Sequence, residues 1–225
     1  MNVIYEDNHI IVVEKPFNIP TQADDSGDMD MLSMVKEYIR VKYNKPGEAY
    51  IGLVHRLDRV AGGLMVFART SKAASRLSEQ IRNRKFEKEY MVVVEGTPSA
   101  DSATLTDYLF KDNKNNMVKV VSKQSKDAKE AKLSYDLLEY REGLSLLRVN
   151  LHTGRPHQIR VQLSSRNNPI FGDGKYGSKI KNKKGIALWS YRISFEHPTK
   201  KEWMTFELLP PTIVPWDMFK VMEKI

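Results

Sequence analysis

The sequence predicts an α+β fold in which helices and loops flank a mixed, largely antiparallel central sheet. Short segments rich in valine and isoleucine recur along most of the chain, as they do in strands. Only two long segments, 30–42 and 71–83, have apolar residues at helical spacing. Because the chain has 225 residues and no linker rich in Pro, Gly or Ser, we predict one domain over residues 1–225.

The first half of the chain is predicted to alternate strands with the two long helices. Residues that can accept hydrogen bonds from helical N–H groups precede both helices. The predicted elements are, in order, a hairpin over 2–15 that turns at Asp7-Asn8, a helix over 30–42 capped by Asp28 or Asp30, strands over 51–54 and 63–68, and a helix over 71–83 capped by Thr70 or Ser71.

The second half is predicted to be mainly β, with short helices near its middle and its end. Proline is favoured in the first turn of a helix, so Pro156 predicts a helix start with Ile159 and Leu163 on the apolar side. The predicted elements are, in order, a strand over 86–96, a β region over 103–151, the helix at Pro156, a glycine-rich loop over 168–177, a basic loop over 179–185, strands over 188–196 and 203–208, and a helix over 216–222.

Composition and motifs exclude several classes of protein. The chain has no cysteine and its five histidines lack HExxH spacing, so we expect neither disulfides nor a metal site. P-loop, GxGxxG and GxSxG motifs are missing, so we expect no nucleotide cofactor and no α/β-hydrolase. Since no apolar run is long enough to cross a bilayer and no signal peptide follows Met1, we expect a cytoplasmic protein.

The net charge of +8 suits a polyanionic partner, and RNA in particular. A mildly basic surface also serves solubility alone, so the charge by itself leaves both interpretations open. A group of cations at the end of the helix over 71–83 suits phosphate contacts, with a solvated helix face as the alternative. These cations are Arg82, Arg84 and Lys85.

A charged turn between two apolar strands is the strongest sign of chemistry. It lies within Ile51–Thr70 and contains His55, Arg56 and Asp58. A carboxylate on such a turn is costly unless a cation pairs with it, which predicts a held, ionised Asp58. A structural ion pair or turn cap is the alternative for Asp58. His55 suits acid-base chemistry or a structural hydrogen bond, and Arg56 suits an ion pair or a phosphate.

Two further sets of side chains suit RNA. Tyr90 offers an aromatic face on which a base can stack, with a core position as the alternative. Four polar residues within six positions at the predicted helix start suit phosphate binding or pairing with a carboxylate, with a solvated helix turn as the alternative. These residues are Arg155, His157, Gln158 and Arg160.

Several motifs together resemble the RluA family of pseudouridine synthases. HRLD and TGRPHQIR are the most specific of them. In chain order the motifs are YED (5–7), VVEKP (12–16), HRLD (55–58), GLM (63–65), ART (68–70), KEY (88–90), TGRPHQIRVQL (153–163) and PIFGDGKYG (169–177). The resemblance spans nearly the whole chain and implies the pseudouridine synthase catalytic fold, with an active-site cleft across the sheet.

The resemblance implies an isomerase that converts uridine to pseudouridine in ribosomal or transfer RNA and needs no cofactor. Uridine would be flipped out of the RNA, its glycosidic bond broken and the uracil rejoined through C5. Asp58 matches the catalytic aspartate, Arg160 the arginine that pairs with it, and Tyr90 the tyrosine packed against the target base. Arg56 matches the arginine that occupies the space of the flipped base. Attack of the carboxylate on C1′ and removal of a ribose proton both stay open.

The chain departs from the family pattern at two places. Ala61-Gly62 stands where hydroxyl residues are usual, and Gln162 stands where histidine is common. Because the chain starts at the catalytic hairpin, we expect no S4-like RNA-binding domain, and we expect a monomer. Two other functions stay open, namely a non-catalytic RNA-binding or ribosome-assembly protein on the same fold and a glycosylase that removes the base.

Overall fold

The structure is a computed structural model that describes residues 1–223. The chain divides into two compact units. The first unit comprises Met1–Glu87 and Ser190–Leu209, and the second comprises Lys88–Trp189 and the residues from Pro210 onward. The prediction of one domain over residues 1–225 stays a prediction.

Helices and strands are distributed along the described residues much as the sequence predicts. The strands are β1 (Val3–Glu6), β2 (Ile10–Lys15), β3 (Gly52–Leu53), β4 (Gly62–Ala68), β5 (Glu87–Glu95), β6 (Ser102–Asp112), β7 (Met117–Val121), β8 (Lys129–Arg141), β9 (Leu144–Leu151), β10 (Leu188–Glu196) and β11 (Trp203–Glu207). The α-helices are α1 (Met31–Lys42), α2 (Ser71–Arg82) and α3 (Gln158–Ser164).

The first unit is built on a sheet with the strand order β1, β2, β4, β10, in which β3 also pairs with β4 and β11 with β10. Strands β2 and β4 are antiparallel, from Ile10 opposite Ala68 to Lys15 opposite Gly63. Apolar residues of this sheet and of α2 form a core that includes Ile10, Val12, Leu64, Val66, Ala73, Leu77 and Phe195. The register places Lys15 where the charged turn enters β4.

The second unit is built on an antiparallel sheet with the strand order β5, β9, β8, β6, β7. Helix α3 packs against β6 and β7, where Val161 joins a cluster with Leu109, Val118 and Ala131. All residues of Gln158–Leu163 are buried. Close packing on every side therefore fixes the side chains of α3.

The predicted α+β class and the largely antiparallel pairing are confirmed. Helices α1 and α2 begin where their caps predict, because Asp30 accepts from the Ser33 N–H at 3.0 Å and Thr70 accepts from the Ala73 N–H at 3.1 Å. Each bond satisfies an N–H group that has no partner within its helix. No helix in residues 1–223 is long and apolar enough to cross a membrane.

The predicted start of α3 was wrong. The helix begins at Gln158, two residues after Pro156. His157 intervenes with a φ of 50° in the left-handed region, which a right-handed helix cannot include. The proline rule therefore places the helix too early by two residues.

Two other predicted elements are shorter than expected. The strand predicted over 51–54 is only Gly52–Leu53, because it pairs with no more than the last two residues of β4. The predicted helix over 216–222 consists of two short 3-10 helices, Trp216–Met218 and Lys220–Glu223. Phe219 interrupts them with an extended backbone, so no continuous helix forms.

Candidate active site

The turn between β3 and β4 carries Asp58, which is half-buried. The Ala61 N–H closes the turn by donating to the Asp58 carbonyl oxygen at 3.0 Å. Gly63 follows with a φ of 111°, and a Cβ at that position would lie 2.4 Å from the Ser190 carbonyl oxygen. Only glycine fits there, so the path of the chain out of the turn is fixed.

A buried lysine that the sequence-based prediction missed holds this turn from inside. Lys15 is 0% exposed, and its Nζ donates to the carbonyl oxygens of Pro16 at 2.9 Å, Arg59 at 3.0 Å and Ala61 at 2.6 Å. Burial lowers the pKa of Lys15 to about 7, although the Asp58 carboxylate acts in the opposite direction. The three carbonyls match the three N–H donors of an ammonium group. The sequence pattern that could have indicated this role is a lysine at the end of an apolar strand, directly before a proline.

A buried threonine holds the residue on the other side of Asp58. Thr21 Oγ1 donates to the Leu57 carbonyl oxygen at 2.9 Å and accepts from the Leu57 N–H at 3.2 Å. Both neighbours of Asp58 are therefore fixed, Leu57 by Thr21 and Arg59 by Lys15. No local pattern predicts the role of Thr21, because its partner lies 36 positions away.

His55 and Arg56 lie in the same turn but in different surroundings. His55 is 8% exposed, its Nε2 accepts from the Val66 N–H at 3.1 Å, and its ring centroid lies 5.5 Å from that of Phe86. A nitrogen that accepts a hydrogen bond carries no proton, which favours a neutral, structural His55. Arg56 is exposed and makes no ion pair within residues 1–223. The RNA contacts of both residues stay predictions.

Arg160 lies in α3 of the second unit and is 5% exposed. Its Nε and Nη2 donate to the two carboxylate oxygens of Asp173 at 2.7 and 2.8 Å, which is a bidentate ion pair. Its guanidinium carbon lies 4.9 Å from the ring centroid of Tyr176. Sequence reasoning missed Asp173 as a partner, although the loop that carries it matched a family motif. The pairing of Arg160 with Asp58 stays a prediction.

Tyr176 also fixes the residue before α3. Its hydroxyl oxygen accepts from the Val118 N–H at 2.9 Å and lies 2.7 Å from His157 Nδ1. The hydroxyl proton is then available to the His157 ring. This bond holds His157 in its left-handed conformation, and its predicted RNA contact stays a prediction.

Gln158 and Arg155 hold the loop that precedes α3. Gln158 is 3% exposed, its Oε1 accepts from Thr153 Oγ1 at 2.8 Å and from the Arg155 N–H at 3.0 Å, and its Nε2 donates to the Lys132 carbonyl oxygen at 3.1 Å. Arg155 Nε donates to the Glu130 carbonyl oxygen at 2.9 Å. These bonds favour a structural role for Gln158, and the RNA contacts of both residues stay predictions.

Tyr90 lies in β5 opposite Val149 and is 5% exposed. Its predicted stacking on a base stays a prediction. Three exposed cations follow one another at the end of α2, namely Arg82, Arg84 and Lys85. Arg84 has a φ of 56°, at the position after a helix where glycine is usual. None of the three makes an ion pair in the described part of the chain, so they are available to a polyanion.

Residues 9–165 match the family model described as RNA pseudouridylate synthase, and this range includes Asp58, Tyr90 and Arg160. The chain belongs to this family. It is an RNA pseudouridine synthase, an isomerase that converts uridine to pseudouridine in RNA, and the predicted resemblance to RluA-type enzymes is confirmed.

Relatives and solved structures agree with this assignment. An Aquifex aeolicus protein named as an uncharacterized RNA pseudouridine synthase is 36% identical over 228 residues, which cover 94% of this chain and 70% of that protein. Ribosomal large subunit pseudouridine synthase D of Xanthomonas campestris is 30% identical over 239 residues, covering 100% of this chain and 69% of that protein. The structure of human RNA pseudouridylate synthase domain containing 4 matches with a TM-score of 0.77 at 21% identity, over 93% of this chain and 88% of that chain. This last similarity supports the pseudouridine synthase fold.

Proposed function

We propose that this synthase modifies one or a few uridines of ribosomal RNA in the cytoplasm and that Asp58 is its catalytic carboxylate. The observation that carries the proposal is the Asp58 turn, whose backbone is held on one side by Thr21 and on the other by Lys15. Buried supports of this kind suit a side chain that must meet a reacting atom accurately. The ribosomal name of the Xanthomonas relative supports ribosomal over transfer RNA.

The reaction is balanced without a cofactor. The N1–C1′ bond breaks, the uracil turns, and a C5–C1′ bond forms. One proton leaves C5 and one joins N1, so the product has the mass of the substrate. In our proposal ionised Asp58 acts at the ribose while the uracil is detached.

The target base has to leave the RNA helix, which costs a few kcal/mol. We propose that the Arg56 side chain, which is exposed, occupies the space that the base leaves in the RNA helix. Tyr90 packs against the extruded base, and Arg160 pairs with Asp58. The phosphate backbone contacts the cations of α2, namely Arg82, Arg84 and Lys85. The remaining predicted RNA-binding residues are His55, Arg155, His157 and Gln158.

Asp58→Asn tests the proposal most directly. The variant keeps the shape of the side chain but loses the negative charge, so we expect pseudouridine to disappear at the target sites. Site-resolved mapping of ribosomal and transfer RNA is the measurement, in a deletion strain that carries either wild type or the variant. Asp127→Asn is the matched control, because Asp127 is exposed and far along the chain in the β7–β8 loop.

Three results would contradict parts of this proposal. An RNA map that does not change on deletion would exclude a pseudouridine synthase with these substrates. Loss of pseudouridine from transfer RNA alone would replace the proposed substrate and leave Asp58 in its role. An active Asp58→Asn variant would remove Asp58 from the chemistry and favour a structural role for the turn.

A further inference from the structure

A short acidic loop lies against the residue that follows Asp58. We call residues 24–28 the acidic loop, because it contains three aspartates within five positions. Arg59 Nη1 donates to Asp24 Oδ2 at 3.4 Å and to Ser26 Oγ at 2.9 Å, and its Nη2 donates to Asp28 Oδ2. The guanidinium group is therefore surrounded by oxygen acceptors, as it would be by a phosphate.

The loop itself is organised around these contacts. The N–H and hydroxyl of Ser26 both donate to Asp24 Oδ1, at 3.0 and 2.5 Å. Hydrogen bonds from Ser26 lower the pKa of Asp24, and hydrogen bonds from Arg59 and then Ser26 lower that of Asp28. Both carboxylates are therefore ionised at neutral pH.

The two ends of Arg59 are held with different firmness. Its carbonyl oxygen accepts from the buried Lys15, so its backbone is fixed. Its side chain is 40% exposed, and the carboxylates that hold it, Asp24 and Asp28, are 43% and 54% exposed. Ion pairs that face water contribute little to stability, so a stronger anion can replace them.

The position of the acidic loop conflicts with the approach of RNA. The chain carries a net charge of +8, yet the carboxylates of Asp24 and Asp28 lie against Arg59, the residue that follows Asp58. RNA that reaches Asp58 brings its own phosphates, which these carboxylates repel. The conflict is relieved if a phosphate takes the place of the carboxylates on Arg59, because arginine binds phosphate in the same forked geometry as carboxylate.

We infer that Arg59 binds a backbone phosphate of the RNA and that Asp24 and Asp28 occupy this position in the free protein. The inference rests on the proposed function, since it takes the RNA to lie along the Asp58 turn. The acidic loop then acts as an exchangeable competitor, which every bound RNA has to displace. A permanent brace for the Asp58 turn is the other role that the same contacts could serve.

Charge removal from the loop separates the two roles. We would measure binding of a fluorescein-labelled 15-nucleotide oligouridine by anisotropy over a series of salt concentrations. Asp24→Asn combined with Asp28→Asn removes the competitor, so we expect binding about threefold to tenfold tighter, in keeping with weak exposed pairs. Asp25→Asn is the matched control, because Asp25 lies in the same loop and does not contact Arg59 in the described structure.

A second variant, Arg59→Gln, tests the phosphate contact of Arg59 itself. Loss of one phosphate contact should weaken binding and lower the salt slope by about 0.7, the value for one contact to a single strand. In the Arg59→Gln background the two Asn substitutions should bring no more gain than Asp25→Asn does. Thermal unfolding of each variant verifies that it is folded, and Arg59→Lys retains the charge if Arg59→Gln does not fold.

Two outcomes would overturn the inference. In the first, the double Asn variant binds no more tightly than Asp25→Asn, or Arg59→Gln keeps the wild-type salt slope. In the second, the double Asn variant loses kcat at unchanged affinity, which identifies the loop as a brace. The affinity and salt-slope measurements need no turnover, so their failure is distinct from a failure of Asp58→Asn to abolish pseudouridine.

Discussion

Two buried cations, Lys15 in the first unit and Arg160 in the second, are held in different ways. Lys15 donates to three backbone carbonyls, whereas Arg160 donates to the carboxylate of Asp173. Carbonyl groups carry no net charge, so burial lowers the pKa of Lys15 to about 7. Arg160 has a full opposite charge beside it, and a guanidinium group does not lose its proton in proteins.

The difference shows how a buried charge can be permanent or titratable. The Arg160–Asp173 pair is a support in which two N–H donors of the guanidinium group meet the two oxygens of one carboxylate. Lys15 is a support that changes its number of N–H donors within the physiological range. The first arrangement depends on keeping both partners, and the second depends on pH.

The largest effect is expected from Asp173→Ala. The substitution removes the carboxylate that two N–H groups of Arg160 use, at a site where both side chains are buried. Breaking a buried pair in this way costs about 3–5 kcal/mol of unfolding free energy. Urea denaturation measures it, with Asp112→Ala on an exposed turn as the control. A loss of unfolding free energy below about 1 kcal/mol, the size found for exposed pairs, would show that Arg160 does not depend on the Asp173 carboxylate.

Lys15→Met should have a smaller effect on stability and a larger one on activity. Removal of the buried charge is favourable and offsets most of the cost of leaving the buried carbonyls without a donor, so we expect a net loss of about 1–3 kcal/mol of unfolding free energy. The turn that carries Asp58 loses its inner support, so we expect a fall in kcat of about 100-fold, as small displacements of reacting groups produce. Kinetics and urea denaturation of the same sample separate the two effects.

Lys45→Met is the control for this prediction, because Lys45 is exposed and lies beyond α1. Lys45→Met should leave both kcat and the unfolding free energy unchanged. If Lys15→Met lost stability but kept its kcat, Lys15 would support the fold and not the turn.

The pH dependence tests the titratable support directly. Below a pH of about 7 Lys15 is protonated, with three donors for three carbonyls and a positive charge near Asp58. Above this pH it becomes neutral and loses one donor, so activity should fall as pH rises through about 7. The log of kcat against pH should show this limb in wild type and lack it in Lys15→Met. If the fall in kcat above a pH of about 7 persists in Lys15→Met, the titration of a group other than Lys15 causes it.

The smallest effects are expected from the exposed cations at the end of α2. Substitution of Arg82, Arg84 or Lys85 by Gln should change the unfolding free energy by no more than about 0.5 kcal/mol, as at other surface sites. Each lost phosphate contact should lower the salt slope of binding to an oligouridine by about 0.7. A larger loss of unfolding free energy would show that these cations support the fold, although their side chains are exposed.

Sequence periodicity predicted most elements of this fold correctly. The limits of α1 and α2 followed from local signals, because a capping side chain and its N–H partner lie only three positions apart. The start of α3 was not predicted, since the left-handed backbone of His157 depends on a bond to Tyr176, 19 positions away. Local rules fail where a distant partner sets the backbone.

The sequence by itself determined which residues belong to the candidate site, through the HRLD and TGRPHQIR motifs, and it determined the basic character of the surface. Only the tertiary structure decided what holds those residues. Lys15 reaches Ala61 across 46 positions and Thr21 reaches Leu57 across 36. These contacts exist because the β2–β4 register and the packing of the loop between β2 and α1 bring distant segments together. Pairing across such distances is set by the sheet, and no local pattern in the sequence encodes it.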